Sequence, residues 1–172
     1  LIFDKYKLSP EYQKINAGMS LVDFKGIFWL EYIHRLWGRI IGIFFVAPFI
    51  IFVACGWVRW RLGIRLFGLL LLGGIQGALG WYMVKSGLVD RPDVSQYRLA
   101  SHLGVALLII AALFWTAHGL NKSFRNRCGL IDSTSVVGLR RGAYIVLLSV
   151  LVTSFSGAFV AGLNAGLAYN SF

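Results

Sequence analysis

Glu31, His34, Arg35 and Arg39 fall within nine residues at the head of a long apolar stretch. A carboxylate, an imidazole and two guanidiniums are costly to hold in lipid, so they point first to function. On a helix, Glu31 and His34 stand one turn apart on one face, with Arg35 and Arg39 on a neighbouring face. A second group, Arg98 and His102, opens another apolar stretch with a spacing of four. Two imidazoles at like depth on parallel helices are an arrangement that holds a haem iron from both sides. A guanidinium can give a haem propionate two hydrogen bonds. Arg98, one turn waterward of His102, is the first choice for that task; Arg35 and Arg39 are the others. Glu31, one turn from His34, could stabilise developing positive charge or move a proton.

The elements that must position these groups are membrane spans. The 172 residues are 58% hydrophobic, and the apolar ones come in long blocks. The pattern predicts an all-α membrane protein with four transmembrane helices in a bundle. The expected spans are 27–58, 66–84, 97–118 and 142–163, with Pro48 kinking the first. Residues 1–26 are expected as an extramembrane loop, with a short interfacial helix starting at Ser9 or Ser20. Ser9-Pro10-Glu11 has the signature of such a start. The four spans make one domain over 27–163, and 164–172 would begin the next loop.

Net charge is +10. The basic residues gather in the segments 59–65 and 119–141, which hold eight Lys and Arg against Asp132 alone. That follows the positive-inside rule, so those segments are expected in the cytoplasm and a nucleic-acid partner is not expected. The first and third spans then run inward in parallel. His34 and His102 fall within roughly 10 Å of the outer boundary, whereas His118 is about 24 Å deeper than His102 and cannot share its iron. Cys55 and Cys128 have no zinc or redox spacing and are expected as free thiols on the reducing side.

Gly73-Gly74-Ile75-Gln76-Gly77-Ala78-Leu79-Gly80-Trp81 on the second span would let a backbone or a flat ligand come close, with Gly74 and Gly77 as the wall and Trp81 beside it. Plain helix packing is the commoner reason for such glycines, an interfacial Glu31–Arg35 pair would explain that acid equally, and span-end aromatics are by default a membrane belt. Ser149, Thr153, Gly157 and Ala161, every fourth residue of the last span, are expected as its packing face. From residues alone, a haem enzyme, an electron-carrying b-type cytochrome and a transporter using Gln76 all stay open.

Four motifs carry a resemblance. Glu31-Tyr-Ile-His34-Arg35-Leu-Trp-Gly38-Arg39 resembles the E-x-x-H-R-x-x-G-R signature of haem A synthases. Gly74-Ile-Gln76-Gly77-Ala-Leu-Gly80-Trp81, Tyr97-Arg98-Leu-Ala-Ser-His102 and Gly157-Ala-Phe-Val-Ala-Gly162 with Tyr169-Asn170 resemble later motifs, in order. The wording is nearest the mitochondrial and alphaproteobacterial branch. The resemblance implies one half of an eight-helix pseudo-repeat, covering helices two to five, inactive without the other half. It implies a membrane oxidoreductase that converts the C8 methyl of haem O to a formyl group, giving haem A for cytochrome c oxidase. Catalysis would fall to Glu31, His34 and His102, with both histidines as iron ligands. Haem O would be the substrate here, and a haem b would sit in the other half. A cysteine pair found in the outer loop of some members is missing, which removes a thiol role. The implied setting is multi-pass in the bacterial inner membrane, or else the mitochondrial one, among lipid. Haem O synthase, oxidase assembly factors and further copies of the chain are the expected protein partners, with the electron donor unassigned.

Overall fold

A computed structural model describes residues 2–87, 95–120, 133–163 and 165. Among them all regular structure is helical: α1 (Ile2–Lys7), α2 (Pro10–Lys14), α3 (Leu21–Ala54), α4 (Trp60–Gly87), α5 (Gln96–Leu120) and α6 (Ser133–Gly162). The last four are each long and apolar enough to cross a membrane. The chain is therefore an all-α membrane protein. It divides into two units, Leu1–Ser95 with α1 to α4 and Gln96–Phe172 with α5 and α6.

In the first unit both candidate serines are N-caps. Ser9 takes the Tyr12 N–H on its Oγ at 3.3 Å, and Pro10 opens α2. Ser20 takes the Asp23 N–H at 3.2 Å and donates to the Asp23 carboxylate at 2.6 Å. Each cap satisfies a donor that the first helical turn leaves open. Ser20 does not start a separate short helix. It starts the 34-residue α3 itself, because helix-compatible sequence continues unbroken through Lys25 into the apolar stretch. The span is thus earlier at both ends than the expected 27–58. α1 and α2 fold back on its first turns: the Phe24 ring, buried, lies 5.0 Å from Phe3 and 4.8 Å from Tyr6. Asn16 Nδ2 donates to the Tyr6 hydroxyl at 2.8 Å and ties the end of α2 into the same cluster. Burial there pushes the Tyr6 phenol above its ordinary pKa.

α3 runs through Pro48 and stops at Cys55-Gly56. Gly56 takes φ +71°, its N–H donates to Val53 O at 3.0 Å, and the Trp57 N–H donates to Phe52 O at 2.9 Å. This is a Schellman ending, which needs a residue that tolerates positive φ. Its usual apolar clasp is present too, as the Trp57 and Phe52 rings lie 5.5 Å apart. The chain turns at once into α4, so α3 and α4 form a hairpin whose members touch.

In the second unit α5 packs on α6. The Phe155 ring covers Gly104, where an added Cβ would sit 3.2 Å from it, and Gly162 abuts the Gln96 backbone. The Tyr97 and Phe159 rings meet edge to face at 5.8 Å. Ala100 and Ala158 are buried in this seam. Ser149, Thr153, Gly157 and Ala161, the expected packing strip, are exposed and do not face α5. The closest approaches are a glycine of α5 under a ring of α6 and the last glycine of α6 against the first residue of α5. α6 also starts nine residues earlier than expected, so Arg140 and Arg141 are helical rather than in a loop. Lys122, Arg125, Arg127, Cys128, Asp132, Tyr169 and Asn170 lie outside the described residues.

Candidate functional site

α3 carries the densest chemistry. Glu31 and Arg35, one turn apart, form an ion pair through Oε1 and Nη1, each side chain 43% exposed. Arg35, one of the propionate candidates, thus contacts Glu31 through one guanidinium nitrogen. His34 and Arg39 are exposed. An aromatic ladder climbs beside them: Phe24 to Phe28 at 5.9 Å, then Phe28 stacked on Tyr32 at 6.2 Å, with Trp29 edge-on to both. The i, i+4 spacing of Phe24, Phe28 and Tyr32 generates the ladder, and it stiffens the N-terminal part of α3 that carries His34.

The hairpin brings α4 level with this block. Counting back from Ala54, His34 is about 30 Å from the turn; counting forward from Trp60, the same rise reaches Gly80 and Trp81. Gly74 and Gly77 follow one to two turns further in. A Cβ added at Gly73, Gly74 or Gly77 would meet nothing within 4 Å, so this strip presents bare backbone with open space above it. Trp81 is exposed, with the Lys85 ammonium 4.7 Å from its ring centroid. That cation–π contact was not among the sequence expectations; its signal is the spacing of four between an aromatic and a lysine. The Gln76 Oε1 atom, on the same helix, is shut away from solvent.

In the second unit α5 holds its pair away from α6. At about 100° per residue, Arg98 and His102 lie opposite the Gln96, Ala100 and Gly104 stripe that α6 covers. Both side chains are half-buried, and His102 Nδ1 is shielded from water. Ser101, between them in sequence, returns its hydroxyl to Tyr97 O at 2.7 Å. His118 is at the far end of the helix, stacked on Phe114 at 6.2 Å. The structure thus joins Glu31 with Arg35, places Arg98 and His102 on one face, and describes His34 and His102 in separate units.

As a donor set this suits a haem. It offers neutral-capable imidazoles for iron, guanidiniums for propionates, and a glycine strip where a planar macrocycle meets no side chain. No group of three or more His, Cys, Asp or Glu residues able to hold a bare metal ion occurs among the described residues.

The family model described as cytochrome oxidase assembly protein, COX15-CtaA, matches residues 2–172. The chain belongs to the COX15-CtaA family. It is 51% identical over 171 residues to a heme A synthase of Nitrosospira multiformis, covering 99% of this chain and 47% of that protein. It is 50% identical over 176 residues to a heme A synthase of Paramagnetospirillum magneticum, covering 100% of this chain and 48% of that one. A third relative, heme A synthase COX15 of Arabidopsis thaliana, is 47% identical over 176 residues, 99% of this chain and 38% of its own length. The chain spans about half the length of these curated relatives. No solved structure matches it. Membership of the COX15-CtaA family agrees with the four motifs and with the four spans.

Proposed function

We propose that this chain supplies the substrate half of a haem A synthase, which oxidises the C8 methyl of haem O to a formyl group through an alcohol. The oxidation runs in two two-electron stages whose oxygen comes from water and whose electrons and protons leave to an external acceptor and to solvent. The observation that carries the proposal is identity near 50% along the whole chain to proteins named heme A synthase, from bacteria and a plant. The relatives carry the name of an enzyme, so the b-type cytochrome and transporter alternatives have no support from them. His34 and His102 would hold the haem O iron, one from each side. Arg98 and Arg39 would take the propionates, since Arg35 is paired with Glu31. Gly74 and Gly77 would face the macrocycle and Trp81 its edge. Bound haem O supplies both the oxidisable methyl and a redox-active iron beside it. Glu31, one turn from His34, would offset positive charge developing at the methyl carbon or accept its proton, with Arg35 keeping the carboxylate oriented. The proposed setting is the bacterial inner membrane, with these residues near the periplasmic face. A haem b in another half of the protein, haem O synthase, oxidase assembly factors and further copies of the chain complete the proposed surroundings.

The test is the full product of the gene, expressed in cells that make haem O but no haem A, followed by extraction of total haem. The proposal expects haem A to appear with the native protein and haem O to persist with Glu31→Gln, while purified Glu31→Gln still carries haem. Normal haem A output from Glu31→Gln removes Glu31 from the chemistry, and haem O alone from the native protein removes the synthase function.

A further inference from the structure

The turn between α3 and α4 carries Arg59, Arg61 and Arg65, all exposed. Among the described residues no carboxylate pairs with any of them, and the sequence has no Asp or Glu between Glu31 and Asp90. Two indoles flank them: Trp57 is 72% exposed and Trp60 80%. The haem chemistry proposed above uses none of these residues, and the α3–α4 hairpin places them at its opposite end.

This surface differs from a loose basic tail because its backbone is fixed. The Schellman hydrogen bonds and the Phe52 ring hold Trp57 at the end of α3. The Arg59 carbonyl accepts the N–H groups of Leu62 and Gly63, each at 2.9 Å, and starts α4 there. A Cβ added at Gly63 would meet the Val58 side chain at 3.7 Å, so Val58 lies beside the start of α4. Arg61 and Arg65 then stand one turn apart on a single face of α4. Guanidiniums match a phosphate oxygen pair in two-point geometry. Exposed indoles beside them suit the boundary between headgroups and acyl chains, a place that a water-soluble anion does not share.

We propose that the α3–α4 turn is a seat for one anionic phospholipid, its phosphodiester held by Arg59, Arg61 and Arg65 and its glycerol region bracketed by Trp57 and Trp60. The inference needs α3 and α4 to cross a bilayer and does not depend on the haem assignment. Basic residues near any membrane attract anionic lipid diffusely. A fixed turn converts that attraction into retention of a particular molecule.

The test exchanges the purified full gene product into mixed micelles holding equal phosphatidylglycerol and phosphatidylcholine, then counts retained lipid by native mass spectrometry. The native protein is expected to prefer phosphatidylglycerol by about fivefold or more. R59Q/R61Q/R65Q should bring the ratio to parity, W57A/W60A should lower total retention, and R140Q/R141Q should change neither. Should the triple variant fail to fold, salt titration of the native protein decides, because a phosphate held by exposed guanidiniums must be lost as salt rises. Parity in the native protein, a preference that salt leaves unmoved, or a folded triple variant with the native ratio would each overturn the proposal.

Discussion

Glu31 and Arg35 show how one ion pair can matter to chemistry and little to stability. The pair is half exposed on a helix surface, where such contacts contribute at most about 1 kcal/mol. Arg35→Gln should therefore leave thermal unfolding in detergent within that margin of native. If Arg35 orients the catalytic carboxylate, the same variant should lose haem A output several-fold while keeping bound haem, and native output would end that role. His102→Ala should weaken haem O retention, because the α5 face it shares with Arg98 turns away from α6. The residue chemistry was largely legible beforehand: an acid, a histidine and arginines at helical spacing stand out against lipid-compatible sequence. What the sequence could not decide was pairing. Arg35 is equally spaced to serve Glu31 or a propionate, and only three-dimensional placement assigns it to Glu31. The Lys85 contact with Trp81 was overlooked for a similar reason, since a lysine at a span end reads first as an interface marker.

At the level of elements, the helix ends carry the information. The hydropathy pattern locates the lipid-compatible middle of each span, while the Ser20 cap sets where α3 starts, which explains why that helix begins earlier than its apolar block suggests; α4 and α6 likewise begin before theirs. Gly56, in the Schellman position, illustrates a signal available in sequence but easily missed among so many glycines. Gly56→Ala must force a Cβ into positive φ and should destabilise the α3–α4 hairpin by about 1 kcal/mol, seen as a lower unfolding midpoint. Gly162→Ala should cost more, because its Cβ would overlap the Gln96 backbone, which cannot yield as a flexible side chain would. Regular small residues on the last span suggest close approach, but toward α5 the tight contacts are made by Gly104 under Phe155 and Gly162 on Gln96. The cluster of α1 and α2 on α3 has its own pH signature. Burial raises the Tyr6 pKa, so the folded state holds that proton more tightly than the unfolded chain does. Its stabilisation is complete below the ordinary tyrosine range near 10 and is lost as pH climbs through the higher folded value. Near-ultraviolet circular dichroism of the tyrosines should fade only above that range, and Tyr6→Phe should abolish the dependence. A loss starting below the ordinary range would contradict the burial argument.

Taken whole, the described residues form four membrane-capable helices in two hairpin-sized units, with His34 on α3 of the first and His102 on α5 of the second. The α3–α4 hairpin and the α5–α6 seam each hold their own histidine in place; the proposed function requires His34 and His102 on one porphyrin. The measurement that bears most directly on this is a structure of the full gene product with haem O bound. The account predicts a single iron between the imidazoles of His34 and His102, with Glu31 beside the C8 methyl. An iron held by neither histidine, or both imidazoles turned to lipid with haem O bound elsewhere, would contradict it.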